Sequence, residues 1–188
     1  MTSGSRRPLR PYGWLFDRSR GGGWIGAFGS HAIDTIRWLL GEIQSAGGAT
    51  WTTITERPDA EGRMHTCSAE DAFSAWLELE SGATATVDTS FTSAVSLPPR
   101  IVLTGSEGAI DNTADVRLSL RRVDGHREDL EFTPPRGDPH EVAMTAWATE
   151  VCRAVTEGRQ VSPSFRDGVA CARVMDALRA VPPRPCTS

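Results

Sequence analysis

The amino-acid sequence predicts an α+β fold, with an open, mainly antiparallel β-sheet and helices packed on one of its faces. A helical period of apolar residues near the N-terminus changes to a period of two from about residue 46, and it becomes helical again after residue 135. The strands of the middle stretch follow one another through short turns. Such turns join antiparallel neighbours, because parallel neighbours need long crossover connections. We therefore expect a sheet of about five or six strands, covered on one face by the helices.

The first helix is predicted in the segment "HAIDTIRWLLG", residues 31–41. Ile33, Ile36 and Leu40 recur at helical spacing, and Gly41 suits a left-handed helix end. Ahead of this helix, "YGWLF" at residues 12–16 is a short apolar run, which we interpret as a strand.

Alternating apolar residues predict a hairpin further along the chain. "DAFSAWLELE" and "ATATVDTSF" both alternate, and Ser81-Gly82 between them supplies the turn. The segments "EVAMTAWATEVCRAVTEG" and "FRDGVACARVMDALRAV" return to the helical period and predict two final helices. Three further strands are predicted at residues 100–105, 116–123 and 127–132.

Composition excludes several classes of partner and chemistry. The 188 residues carry 20 basic and 24 acidic side chains, a net charge of −4 that does not favour nucleic acid. No apolar run approaches the roughly 20 residues that span a bilayer, so we expect no membrane partner. Every basic residue is arginine, which rules out lysine chemistry within this chain. The four cysteines are scattered, which is typical of reduced thiols in a cytoplasmic protein: Cys67, Cys152, Cys171 and Cys186.

The stretch "GGGWIGAFGSHAID" begins with Gly21, Gly23 and Gly26 in the G-x-G-x-x-G spacing of dinucleotide-binding loops. A nucleotide fold needs a strand that ends at the first glycine and a following βαβ unit. Here polar residues 17–20 precede the glycines, and hairpins follow the helix. We therefore expect this chain alone to bind no NAD or NADP.

Four segments in order carry a resemblance to a known family: "GGGWIGAFGSHAIDTIRWLLGE", "AEDAFSAWLELESGATATV", "IVLTGSEGAI" and "SPSFRDGVACARVMDAL". They resemble the C-terminal domain of the glucose–fructose oxidoreductase/inositol dehydrogenase (Gfo/Idh/MocA) family. The resemblance covers residues 12–181. Residues 1–11 are interpreted as a flexible arm and residues 182–188 as a proline-rich tail.

The resemblance implies the substrate-binding half of an NAD(P)-dependent oxidoreductase that acts on CH–OH groups of a sugar, polyol or related compound. In this family a Rossmann domain holds NAD or NADP and supplies a catalytic lysine in a Glu-Lys-Pro motif. Since this sequence has no lysine, a separate Rossmann-domain chain would have to provide both. The resemblance also implies a homo-oligomer that associates through the open sheet face.

The resemblance further implies that His31 is the catalytic histidine, contacting a substrate hydroxyl and moving its proton. If His31 lies near a helix N-terminus, the helix dipole favours its neutral form, which can accept a proton. The family often has an aspartate one turn earlier, where this chain has Ala27. Trp14 and Asp34 are the further candidates for substrate binding, Trp14 by stacking on a sugar. His31 and Asp34 lack a third ligand, so we expect no metal site.

Each of these residues also has a purely structural interpretation. His31 could pack at its helix end, Trp14 could be a core residue, and Asp34 could bond to the backbone. For the whole chain, the alternatives are a non-catalytic oligomerisation or sugar-binding module, or a truncated reading frame.

Overall fold

The computed structural model describes residues 2–4, 10–133, 137–138, 140–180 and 182–185. The chain forms two compact units, one comprising residues 1–97 and 165–188 and the other comprising residues 98–164. The α-helices are α1 (Ser30–Leu40), α2 (Glu141–Glu157) and α3 (Phe165–Arg179). The strands are β1 (Thr2–Gly4), β2 (Ile43–Thr52), β3 (Glu56–Pro58), β4 (Met64–Thr66), β5 (Ala72–Leu79), β6 (Thr84–Ser90), β7 (Thr92–Leu97), β8 (Arg100–Gly105), β9 (Gly108–Thr113), β10 (Arg117–Arg122), β11 (Arg127–Glu131) and β12 (Arg184–Pro185).

A six-stranded sheet in the order β12-β2-β5-β6-β1-β7 organises the first unit. The predicted hairpin is confirmed as β5 and β6, which pair antiparallel with Ala75 opposite Val87. β2 pairs antiparallel with β5 along most of its length. The parallel pairs are short, since β1 meets β6 at one position and β12 meets β2 at two. The sheet is therefore mainly antiparallel, as the sequence predicts. β3 and β4 form a separate hairpin in the same unit.

Helices α1 and α3 cover one face of this sheet. Alternate residues of β5, such as Phe73 and Leu77, are buried beneath them, while Trp76 between these positions is exposed on the opposite face. Ile33 of α1 and Val174 of α3 complete the core cluster. Complete burial of such an apolar side chain contributes about 1.5–3 kcal/mol. The helix predicted around residues 31–41 is confirmed, and its packing on the sheet follows from its apolar stripe.

The second unit contains a four-stranded antiparallel meander in the order β11-β10-β9-β8, together with α2. The expectation of one sheet covered by all three helices is thus wrong in detail, because among the described residues β8 to β11 pair only with one another. The pairing puts apolar Leu103 opposite Ile110 and charged Arg100 near Asp111, so the two faces differ in polarity. Gly158 ends α2 in a left-handed conformation.

Two local predictions need correction. Residues 12–16 do not form a strand. Instead, Trp14–Phe16 is a single 3-10 turn, because the backbone N–H of Phe16 bonds back to Gly13. Gly41 ends α1 with φ +100° and ψ −171°, which is outside the left-handed helical region. The predicted arm contains β1 and the predicted tail contains β12, and both strands join the sheet. Residues 1, 5–9 and 186–188 of the arm and tail lie outside the described residues.

Candidate functional site

The glycine stretch wraps around a buried carboxylate. The backbone N–H of Trp24 donates to the carbonyl of Glu70 at 2.8 Å, and the N–H of Ile25 donates to Glu70 Oε1 at 3.1 Å. Glu70 is almost fully buried, and the guanidinium of Arg179 lies 3.4 Å from the same Oε1. A protein carboxylate therefore occupies the start of the helical segment, where a dinucleotide pyrophosphate would bind in a nucleotide fold. The stretch does not fit NAD or NADP.

Close packing explains two of these glycines. A Cβ on Gly22 would lie 2.2 Å from the Trp14 carbonyl oxygen, and a Cβ on Gly23 would lie 2.1 Å from Glu70 Oε1. Gly23 also has φ +119°, a conformation that side chains rarely adopt. The N–H of Gly23 donates to the carbonyl of Leu15 at 2.8 Å. The glycines thus let the turn carrying Trp14 lie directly against the segment that leads into α1.

His31 lies on an exposed surface of α1 in the first unit. Helical backbone begins at Trp24, and a π-helical turn at Ile25–Gly29 leads without interruption into α1. The expectation that His31 sits at a helix N-terminus is therefore wrong, and the dipole argument fails because that effect fades within the first turn. Within the described ranges no hydrogen bond is made by the imidazole, and the His31 carbonyl accepts one from Thr35 Oγ1. The side chain is free to meet a ligand.

Neighbouring positions on α1 and on the π-helical turn before it are exposed as well. Ala27, one turn before His31, is exposed. Two turns after His31, Trp38 is 82% exposed, and Leu39 beside it is 41% exposed. Exposed large apolar side chains in one patch are unusual on the surface of a monomer. The His31 face of α1 is therefore uncovered in this chain.

Asp34 turns away from His31 towards a buried arginine. Arg37 Nη1 donates to Asp34 Oδ1 at 3.3 Å, and Arg37 Nη2 donates to Glu42 Oε1 at 2.6 Å. Arg37 also bonds to Asp167 on α3, and the Cys171 thiol lies 3.5 Å from Asp34 Oδ1. The hydrogen bond to Glu42 raises the pKa of Arg37, while burial opposes it. Asp34 thus helps to join α1 to α3, and its role in substrate binding stays a prediction.

Trp14 begins the 3-10 turn and is 56% exposed, so it is not a core residue. A fully buried arginine supports its segment. Arg57 lies 4.0 Å from the ring of Phe16 and donates from Nη1 to the carbonyl of Arg10 at 3.1 Å. Its Nε and Nη2 have no partner in the part of the chain that the structure describes, and burial lowers the pKa of Arg57. Arg57 therefore ties β3 to both ends of the segment that presents Trp14.

A second cluster of polar and aromatic side chains, around Asp59 and His65, is not predicted from the sequence. His65 Nε2 lies 2.8 Å from Asp59 Oδ2, and the His65 ring stacks on Tyr12 with 4.6 Å between centroids. Asp59 also accepts hydrogen bonds from Arg63. Asp59 is four residues from Arg63 and six from His65, and such spacings in a polar loop do not predict a contact. Only the β3–β4 hairpin brings these residues together. The cluster fixes the hairpin against residue 12.

Two negative findings apply to the described ranges. No three His, Cys, Asp or Glu side chains there come together as a metal site. None of the helices in those ranges is long and apolar enough to cross a membrane.

Known proteins resemble this chain in sequence. The family model described as "GFO/IDH/MocA C-terminal domain" matches residues 1–111. An uncharacterized oxidoreductase of Synechocystis is 29% identical over 94% of this chain and 52% of that protein. Levoglucosan dehydrogenase of Pseudarthrobacter phenanthrenivorans is 25% identical over 93% of this chain and 53% of that protein. Inositol 2-dehydrogenase of Rhizobium meliloti is 28% identical over 94% of this chain and 52% of that protein. The chain spans about half the length of these curated relatives.

Solved structures share the fold. Levoglucosan dehydrogenase in complex with NADH and L-sorbose matches with a TM-score of 0.81 and 24% identity, over 94% of this chain and 53% of that one. The apo form of levoglucosan dehydrogenase matches with a TM-score of 0.83 and 22% identity, over 99% of this chain and 58% of that one. The predicted family is confirmed by the match to its model over more than half of the residues. This chain belongs to the GFO/IDH/MocA C-terminal domain family.

Proposed function

We propose that this chain forms the substrate side of an NAD(P)-dependent oxidoreductase acting on a CH–OH group of a sugar, polyol or related compound. The observation that carries the proposal is the exposed imidazole of His31 on an uncovered face of α1, within a segment that resembles the family's site. Relatives named levoglucosan dehydrogenase and inositol 2-dehydrogenase support a polyhydroxylated substrate.

His31 is the proposed proton acceptor or donor. An imidazole changes its protonation near neutral pH, and a positioned one typically contributes about 10²–10⁴-fold to a rate. When a CH–OH group is oxidised, the hydroxyl proton passes to the imidazole while the hydride passes to the nicotinamide. Trp14 supplies an exposed ring that can stack on the apolar face of a sugar. Asp34 fixes α1 through Arg37, and its carboxylate is half exposed, so it could also accept a hydrogen bond from a substrate hydroxyl.

The nicotinamide cofactor belongs to a nucleotide-binding domain outside these 188 residues. Trp38 and Leu39 support this assignment, because a domain packed on the His31 face would bury both side chains. The match to only half of each relative supports it as well. Such a domain would also supply the lysine that this chain lacks.

A non-catalytic binding or oligomerisation module is the second candidate. It is favoured by Ala27, which stands where the family often has an acid able to orient the histidine. Association of two copies through the open face of the sheet is compatible with both candidate functions. That face presents Trp76 among mostly polar residues, such as Ser74 and Thr86.

A chimera tests the proposal. The half of levoglucosan dehydrogenase that this chain does not match would be joined to residues 1–188, and NADH formation would be followed with a panel of sugars and polyols. Turnover of at least one compound is expected. A folded chimera that binds NADH and turns over none of the panel would favour the non-catalytic module.

A further inference from the structure

The aromatic ring of Phe28 lies next to His31 on the same helical segment. Phe28 belongs to the π-helical turn, and side chains three residues apart are neighbours on a helix surface. The ring of Trp24 stacks on Phe28, with 5.2 Å between the ring centroids and 9° between the ring planes. Within the described residues this is the one ring contact of Phe28, whose side chain stays partly exposed. Part of the phenyl ring therefore reaches the surface beside the imidazole.

The π-helical turn sets how these side chains are aligned. The Ser30 N–H donates to the carbonyl of Ile25, five residues earlier, so this turn is wider than the 3.6 residues of an α-helical turn. Residues four apart consequently come close to a straight line along the helix axis. Ala27 lies directly before His31 in one row, and Phe28 lies in the neighbouring row. Since Ala27 carries only a methyl group, it leaves space between the imidazole and the phenyl ring.

Trp24 holds the Phe28 ring from behind and is itself fixed to the sheet. Its Nε1–H donates to Thr89 Oγ1 of β6 at 3.0 Å. Its ring also packs against buried Phe91, with 4.7 Å between centroids. The orientation of Phe28 is thus set before a ligand arrives. A preset side chain loses little conformational freedom on binding, which favours affinity.

A fixed phenyl ring beside a histidine suits the C–H face of a cyclic polyhydroxyl compound. The face of an aromatic ring is electron-rich, so it attracts the weakly positive C–H groups of a sugar or cyclitol ring. The hydroxyls of a ring lying on Phe28 point outward from its rim, where one of them can meet the His31 imidazole. An acyclic polyol has no rigid C–H face and would gain less from the same contact.

We propose that Phe28 is the stacking residue of the ligand site at His31, and that it selects cyclic sugars and cyclitols over acyclic polyols. This inference rests on the proposed function, because it takes His31 as the group that meets the reacting hydroxyl. It adds the class of ring compound and the side chain that selects it.

Steady-state kinetics of the chimera with levoglucosan dehydrogenase test the selection. Phe28→Leu keeps an apolar side chain but removes the ring. With a cyclic substrate it is expected to raise KM about 3–10-fold and to leave kcat within about twofold. Phe28→Tyr retains the ring and should keep KM within about twofold of the wild type. Phe132→Leu is the matched control, since it removes an exposed phenyl ring of the second unit and should change neither constant.

Saturation-transfer NMR on the full chain gives a readout that needs no turnover. The probes are myo-inositol and levoglucosan, which are cyclic, and D-glucitol, which is acyclic. Irradiation of the aromatic protons is expected to saturate the ring protons of at least one cyclic probe with the wild type and with Phe28→Tyr. With Phe28→Leu the transfer should fall about threefold or more. Circular dichroism of each variant would establish that it folds.

Failure of this inference is distinguishable from failure of the proposed function. A folded chimera without turnover, combined with a loss of transfer in Phe28→Leu, would reject the proposed function and support the stacking residue. Unchanged KM and unchanged transfer in Phe28→Leu would overturn the inference, even if His31→Ala abolishes turnover. Three other results would also overturn it: no transfer to either cyclic probe, equal transfer to D-glucitol, or a transfer that Trp14→Leu alone removes.

Discussion

The carboxylate of Glu70 and the guanidinium of Arg179 lie 3.4 Å apart, and this ion pair joins the start of the helical segment to the last residue of α3. Glu70 receives the Ile25 N–H as well, and Arg179 donates to the carbonyl of Gly22 at 3.3 Å. The pair therefore holds the segment that leads to His31 against both the sheet and α3.

Glu70→Ala is expected to destabilise the first unit by about 2–4 kcal/mol, because it leaves a buried N–H and a partly buried guanidinium without their acceptor. Urea unfolding followed by tryptophan fluorescence measures this change. Glu61→Ala is the control, since the Glu61–Arg63 pair is exposed and contributes less than about 1 kcal/mol. Equal effects of the two variants would contradict the structural role of Glu70.

The glycines of the stretch are expected to differ in their tolerance of a side chain. Gly23→Ala combines a positive φ with a contact of 2.1 Å to Glu70, so it should cost at least about 2–3 kcal/mol. Gly21→Ala meets open space at φ +77° and should cost about 1 kcal/mol. The same urea titrations check this order, and a Gly21 variant as unstable as the Gly23 variant would refute it.

Acidification is expected to act on the β3–β4 hairpin through Asp59. The hydrogen bond from His65 holds the pKa of Asp59 well below its usual range, and Arg63 adds to the effect. A carboxyl group whose pKa is lowered by folding stabilises the fold at any pH above its ordinary, unfolded-state pKa. This stabilisation is lost as the pH falls through the folded-state pKa.

His65→Phe keeps a ring on Tyr12 but removes the hydrogen bond. The pKa of Asp59 should therefore rise towards its ordinary value, and the loss of stability should begin at a higher pH. Carboxyl-carbon NMR during an acid titration measures this shift. His126→Phe, in the second unit, should leave Asp59 unchanged. An Asp59 pKa that is the same in the wild type and in His65→Phe would disprove the assignment.

Local patterns carried most of the fold prediction. The 3.6-residue period around Ile33 and the alternation in β5 and β6 are properties of single segments, and both elements formed as expected. The periodicity of one segment does not indicate which other segment it pairs with. Nothing in the alternation of residues 100–131 shows that these strands form their own sheet. The strand predicted at residues 12–16 is wrong, because so short an apolar run does not distinguish a strand from a turn.

The candidate site was predictable only in part. His31 and Asp34 were identified from a contiguous segment, but the residues that fix that segment are distant in sequence. Glu70 and Arg179 are separated by 109 positions, so no spacing could indicate their contact. The sequence also places His31 at the start of a helix, because a glycine-rich stretch rarely forms helix. In the structure a π-helical turn within that stretch continues into α1, so His31 lies inside the helical segment.

The central claim is that His31 moves the substrate proton, and kcat of the chimera with levoglucosan dehydrogenase tests it most directly. With a compound that the chimera oxidises, His31→Ala is expected to lower kcat by about 10²–10⁴-fold. His126→Ala, which removes an exposed histidine of the second unit, should leave kcat unchanged. If His31→Ala instead retains full kcat while folded, His31 plays no part in proton transfer and the proposed site is wrong.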